Sequence, residues 1–214
     1  AISDSAFSAK IERDEWGVPH IYGKRDADVS FGLAYAHAQD DYKTIEDVIF
    51  ALRGELASIY GRDAAVNDYY VHLMNFWNTI EERYESEVAD DVKLLCDGYA
   101  AGINLFLDDF PDQRRKQLSN LTGRDVVAGF SHKMPLMFGL DGVLKKLAKE
   151  KPPEFIGYGD ELQSGPFDMV ASNVMAVAPQ RSSDGYTRLW VNTHQPWDGP
   201  VSWYEAHLVS EEGW

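Results

Sequence analysis

The pattern that most constrains this chain runs from Asp26 to Gly54. Asp26 has the chemistry of a helix N-cap, and Gly54 that of a helix stop. Between them Tyr42, Ile45, Ile49 and Leu52 recur at helical spacing and define one apolar face. The first half carries Gly32, Ala34, Ala36 and Ala38, whose small side chains permit another element to approach closely. A long helix to about Arg53 follows, around which the rest must pack. Asp40 and Asp41 are adjacent and so point in different directions on a helix, which favours solvated or salt-bridged acids over a metal site.

Before this helix, two short extended segments around Ile11 and Ile21 flank a bend at Trp16-Gly17, with Pro19 holding Val18 extended. His20 reads as a packed, hydrogen-bonded histidine. After the helix, a short turn of helix ends at Gly61, and the aromatic-rich segment from Asp63 to Trp77 reads as helix on the core. From Ser86 to Phe106 the positions Val88, Val92, Leu95, Tyr99, Ile103 and Phe106 trace one helical stripe, stopped at Pro111. Cys96 lies within that stretch and reads as a small buried hydrophobe. Helix resumes from Thr122 to Lys149, broken near Pro135 and near Gly139–Gly142. Met134, Met137 and Phe138 there suit either core packing or an adaptable apolar pocket.

The pattern changes after residue 150. Residues 151–171 contain Pro152-Pro153 and several glycines and read as a loop or linker. From Ser172 the chain turns to strands. Ser172-Asn173 opens the apolar run Val174–Val177, which predicts a strand buried on both faces. Asp184-Gly185 is a hairpin signal, and Arg188–Asn192 is the return strand. His194 then falls beyond the end of the return strand, near Ser172. A third strand is expected at about Ser202–Val209. Three regions result: 1–150, 151–171 and 172–214.

A Ser-Asn pair alone is turn or cap chemistry. At a strand start it acquires another use if the chain is cut before it, because the new α-amine can serve as base for the hydroxyl of the same residue. No His-Asp relay with recognisable local spacing accompanies it. The net charge of −15 over 214 residues argues against nucleic acid or an anionic membrane surface as partner. No apolar run reaches membrane-spanning length, and no cysteine and histidine spacing of metal-site type is present.

Three blocks together resemble the penicillin acylase family of N-terminal-nucleophile hydrolases, which includes acyl-homoserine lactone and cephalosporin acylases. The first is Arg13 to Gly23 (RDEWGVPHIYG) followed by Phe31 to Asp40 (FGLAYAHAQD). The second is Ser172-Asn173. The third is Asn192 to Trp197 (NTHQPW) with Trp203 to Leu208 (WYEAHL). Their order and spacing match, and the resemblance covers essentially the whole chain.

The resemblance implies an α+β fold: a mostly helical α-chain region plus the first strands of an αββα sandwich, incomplete in this chain. It implies a periplasmic or secreted precursor that cuts itself between Ala171 and Ser172, with Ser172 as the nucleophile. His194 matches the position that orients the nucleophile in acylases with histidine there, which tilts the subclass toward homoserine-lactone or cephalosporin-type enzymes. The implied reaction hydrolyses the amide of an acylated amine. It needs no catalytic cofactor; a structural calcium is possible in the full-length protein, with most of its ligands beyond Trp214. Met134, Met137, Phe138 and Trp197 are the candidate acyl pocket. The oxyanion-hole residues would come from the remainder of the β chain. The expectation is therefore a truncated piece or natural remnant without turnover by itself. The alternative is a non-catalytic, acidic helical binding module on the same scaffold.

Overall fold

The computed structural model describes residues 1–147, 172–194 and 199–213. Its strands are β1 (Ile2–Ser3), β2 (Ser8–Arg13), β3 (Pro19–Gly23), β4 (Ser172–Val177), β5 (Arg188–Thr193) and β6 (His207–Ser210). Its helices are α1 (Asp26–Arg53), α2 (Ala57–Tyr60), α3 (Ala65–Met74), α4 (Phe76–Glu87), α5 (Asp90–Asp109), α6 (Gly123–Pro135) and α7 (Asp141–Leu147). The architecture is α+β. The chain divides into two units, Ala1–Pro135 with Tyr204–Trp214, and Leu136–Trp203.

In the first unit, α1 is the central element, as its sequence predicts. Arg25 rather than Asp26 is the N-cap: its backbone is extended, and Asp28 accepts from its N–H at 3.1 Å and from its guanidinium. Asp26 is the first helical residue, and its N–H donates to Glu212 at 2.8 Å. Gly54 closes the helix in the left-handed conformation, φ 70°. The helix is not continuous. Asp41 leaves helical geometry (φ −150°, ψ 54°), and its carboxylate accepts from the Thr44 N–H at 3.2 Å, restarting the helix beyond the kink.

Close approach on α1 occurs where the small residues allow it. A Cβ on Gly32 would sit 2.6 Å from Ile21 Cγ2 and 2.8 Å from Ala9 Cβ, so α1 lies directly on β2 and β3. On α5, Gly98 and Gly102 bring the backbone against the carbonyls of Ala27 and Phe31. That contact overrides bulk in choosing the buried face of α5. Cys96, Ala100, Ile103, Phe106 and Leu107 are buried, whereas Val92 and Leu95 of the expected stripe are exposed and Val88 precedes the helix. Burial pushes the Cys96 thiol up, consistent with an inert hydrophobe. Ala34, Tyr42, Ile49, Phe50, Ile103 and Leu121 join in the largest core cluster.

The helix expected over Asp63–Trp77 breaks at Asn75, which is left-handed (φ 56°), and α4 starts afresh at Phe76. Trp77 Nε1–H then donates to the Leu52 carbonyl at 2.9 Å. The helical pattern from Thr122 ends at Pro135 as expected, and a single π-type turn spans Leu136–Leu140 ahead of α7.

The sheet of the first unit has the order β1-β2-β3-β6. β1, β2 and β3 pair antiparallel, with Gly17 (φ 85°) at the bend. The third late strand is confined to His207–Ser210; Ser202–Ala206 lie outside it. It pairs parallel with β3, His20 opposite His207 and Tyr22 opposite Val209. His20 is hydrogen-bonded, to His207 and to Asp14.

Candidate active site

The second unit holds the predicted hairpin. β4 and β5 pair antiparallel over their full lengths, from Ser172 opposite Thr193 to Val177 opposite Arg188. The connection is fixed by local chemistry. Pro179 opens a turn of 3₁₀ helix, Gly185 supplies φ 75°, and Asp184 gathers the Arg188 guanidinium, the Ser182 hydroxyl and the Tyr186 N–H. The Arg188 guanidinium, with those donors, holds the Asp184 carboxyl well below the usual carboxylate range.

Because side chains alternate along a strand, this register decides what meets at the open end. Ser172 is opposite Thr193, so Ser172 and His194 come to the same end of the ribbon. Asn173 is opposite Asn192. The amide nitrogens of these two each lie 3.1 Å from His194 Nε2. An amide NH2 only donates, so Nε2 accepts from both. His194 is half-buried, and Ser172 and Asn173 are exposed.

The burial expected for β4 is not found. Val174 is 68% exposed and its partner Val191 58%, and Met175, Trp190 and Leu189 are exposed as well. Among the described residues the ribbon has two strands only, so neither face is covered by a further strand. The apolar run therefore identifies a strand without identifying what packs on it.

The candidate pocket residues distribute unevenly. Met134 sits near the end of α6, exposed, one turn after the exposed Phe130, and so is not a core residue. Met137 and Phe138 are on the π-type turn, with their side chains outside the described set. Ala171 and Trp197 lie outside the described residues. Asp40 is salt-bridged to Arg13 at 2.9 Å. Among the described residues no group of three or more histidine, cysteine or acidic side chains is arranged to hold a metal ion. Among the same residues no helix is long and apolar enough to cross a membrane.

The two asparagines were not assigned a role from sequence. Asn173 and Asn192 are visible in the motifs, but a two-residue Asp184-Gly185 turn would set Asn173 opposite residue 196; the observed connection runs over 178–187 and sets it opposite Asn192. What sequence cannot supply is that both amides converge on one ring nitrogen.

The penicillin amidase family model matches residues 8–213. The acyl-homoserine lactone acylase PvdQ of Pseudomonas fluorescens is 27% identical over 240 residues, covering 98% of this chain and 30% of its own length. The aculeacin-A acylase of Actinoplanes utahensis is 24% identical over 240 residues, covering 96% of this chain and again 30% of its own. The penicillin acylase 2 proenzyme of a Pseudomonas species is 31% identical over 98 residues, 46% of this chain and 12% of its length. The chain thus spans about 30% of the length of the first of these curated relatives. Among solved structures, a thermostable penicillin G acylase from Alcaligenes faecalis superposes with a TM-score of 0.52 at 28% identity, covering 61% of this chain and 74% of that one. With the family model matching residues 8–213, the chain belongs to the penicillin amidase family.

Proposed function

We propose that this chain is the nucleophile-bearing N-terminal part of a self-processing amide hydrolase, with Ser172 as nucleophile and His194 as its orienting residue. The observation that carries the reading is the coincidence of the family match over 8–213 with a hairpin register that brings Ser172 and His194 to one end. The substrate class is an acylated amine, such as an N-acyl-homoserine lactone or an N-acylated β-lactam; the relatives bearing the names acyl-homoserine lactone acylase and penicillin acylase support that choice. A relative named as a proenzyme supports activation by cleavage, which here would fall between Ala171 and Ser172.

Cleavage would free the α-amine of Ser172, whose ordinary pKa of about 7.7–8.0 leaves it substantially neutral near pH 8. The amine takes the hydroxyl proton as Oγ attacks the amide carbon. The carbon–nitrogen bond breaks, the leaving amine receives that proton, and an ester links the acyl group to Ser172. Water then adds to the ester, giving the acid and the restored hydroxyl. Each tetrahedral intermediate requires an oxyanion hole, in which one donor is typically worth about 2.7–4 kcal/mol. In the proposed reading those donors come from the remainder of the β chain, the covering partner of the exposed β4–β5 ribbon. Residues 1–214 by themselves are then catalytically silent. The setting is periplasmic or secreted, and no catalytic cofactor is required.

The test is intact mass spectrometry of the complete precursor with a parallel amide-hydrolysis assay. Two fragments, one beginning Ser-Asn, together with turnover that Ser172→Ala abolishes, are expected. An uncut precursor, or turnover surviving in Ser172→Ala, would overturn the reading. Turnover by residues 1–214 above that same control would refute their silence.

A further inference from the structure

We infer that Asn173 and Asn192 are positioning residues that hold His194 as the neutral tautomer with its hydrogen on Nδ1. The assignment to a reaction rests on the function proposed above; the tautomer itself rests on geometry alone.

The two residues stand opposite one another on β4 and β5. Each places its amide nitrogen 3.1 Å from His194 Nε2. A side-chain amide nitrogen has hydrogens to give and no lone pair to offer. Nε2 must therefore present its lone pair to both, in a three-centre arrangement. A neutral imidazole carries one N–H, so that hydrogen is on Nδ1. Tautomers in structures are commonly fixed by the partner of the other nitrogen, and here two partners impose the same choice. Proximity along the chain supports only one of them: Asn192 is two residues from His194, whereas Asn173 arrives from across the ribbon.

The consequence for the proposed chemistry is a division of labour. With Nε2 occupied as an acceptor and Nδ1 already protonated, His194 can donate a hydrogen bond to an oxygen but is not set up to remove a proton from one. The α-amine of Ser172 is then the proton acceptor, and His194 orients the hydroxyl or an intervening water through Nδ1–H. The asparagines are assigned to positioning because their amides reach His194 Nε2, and they act through the ring.

Long-range ¹H–¹⁵N correlation spectra of the labelled 214-residue chain, taken where the ring is neutral, read the tautomer directly. The expected result is a protonated Nδ1 and an unprotonated Nε2 for His194, assigned with a His194→Gln control. A protonated Nε2 in the unsubstituted chain overturns the inference without any variant. The double substitution Asn173→Asp with Asn192→Asp replaces two donors with carboxylates that only accept, and should move the hydrogen to Nε2. An unchanged tautomer in that variant would likewise defeat it. Neither readout depends on turnover. If the full precursor hydrolyses no amide while these spectra are as expected, the proposed function fails and the tautomer assignment stands.

Discussion

His20 and His207 face one another across the parallel pair β3 and β6, their Nδ1 atoms 2.9 Å apart, and His20 Nε2 reaches Asp14 at 3.3 Å. At that separation a single hydrogen lies between the two rings, so one is donor and the other acceptor. The pair links residues 187 positions apart along the chain. His20→Ala and His207→Ala should each lower stability by about 0.5–1.5 kcal/mol, the usual net worth of a hydrogen bond. Urea unfolding of the double variant should show a loss clearly smaller than the two single losses added, because both remove the same bond. Full additivity would mean that the rings contribute separately.

The ion pair Arg53–Asp125 is the interior counterpart of that surface contact. Its atoms are 2.7 Å apart, with side chains only 12% and 5% exposed. Asp125 also accepts from the Thr122 N–H at 2.9 Å, securing the start of α6. Asp125→Ala would leave the guanidinium of Arg53 without its carboxylate inside the protein. A loss of about 3–5 kcal/mol is expected, as for other broken buried pairs. Replacing an exposed partner such as Glu12, which pairs with Lys10 at the surface, should leave stability nearly unchanged.

Glycines give a graded prediction. A Cβ at Gly102 would lie 2.2 Å from the Phe31 carbonyl oxygen, a backbone atom that cannot move aside. Gly102→Ala should therefore force α5 away from α1 and cost about 1–3 kcal/mol or more. A Cβ at Gly129 on α6 would make an ordinary contact of 3.8 Å with Leu52 Cδ2. Gly129→Ala should stabilise by about 0.5–1 kcal/mol through helix propensity alone. Thermal unfolding of the two variants should shift in opposite directions.

These contrasts also mark where sequence stops being readable. The register comes from the 178–187 connection, which sets Ser172 opposite Thr193, not from a two-residue Asp184-Gly185 turn. The hairpin itself was legible because turn and strands are local. The partner of β6 was not, since a parallel pairing with β3 leaves no signature near residue 207. On α5 the expected stripe holds at Ile103 and Phe106, which are buried, and fails at Val92 and Leu95 for a different reason. Val92 and Leu95 are bulkier than Gly98 and Gly102, yet close backbone approach, rather than side-chain size, chose the packed side. In the same way Val174–Val177 announced a strand, while its exposure depends on neighbours that a one-dimensional pattern does not name.

His132 supplies a pH dependence. It is buried on α6, and Nε2–H donates to Asn67 Oδ1 at 2.8 Å, whose amide nitrogen is committed to the Ala51 carbonyl. Burial, assisted by neighbouring Lys133, pushes its pKa down from 6.5 to about 4. The unfolded ring accepts a proton below pH 6.5 that the folded ring resists. Its contribution is therefore complete above pH 6.5 and is lost as the pH falls toward 4, by roughly 3 kcal/mol for a shift of this size. His132→Gln should flatten the stability profile across that window in urea titrations. An equal slope in both proteins would assign the acid sensitivity elsewhere.

The segment leading into β6 is held through Tyr204. Asp40 accepts from Arg13 at 2.9 Å and from the Tyr204 hydroxyl at 2.5 Å, while His37 stacks on the Tyr204 ring at 4.4 Å between centroids. Burial, with Asp40 adding to it, pushes the Tyr204 phenol far above its ordinary pKa, so it remains a donor at any working pH. Arg13 keeps other acceptors, the carbonyls of Gly17 and Ala36, if Asp40 is disturbed. Tyr204→Phe removes one bond and preserves the stack, and should cost about 0.5–1.5 kcal/mol. Tyr204→Ala loses ring and bond together and should cost more. Because Tyr204 lies only three residues before β6, the damage should be local: amide exchange at Leu208 and Ser210 should accelerate while that at Ile103 in the core does not. Uniform acceleration would instead show that Tyr204 supports the whole unit rather than the docking of its final strand.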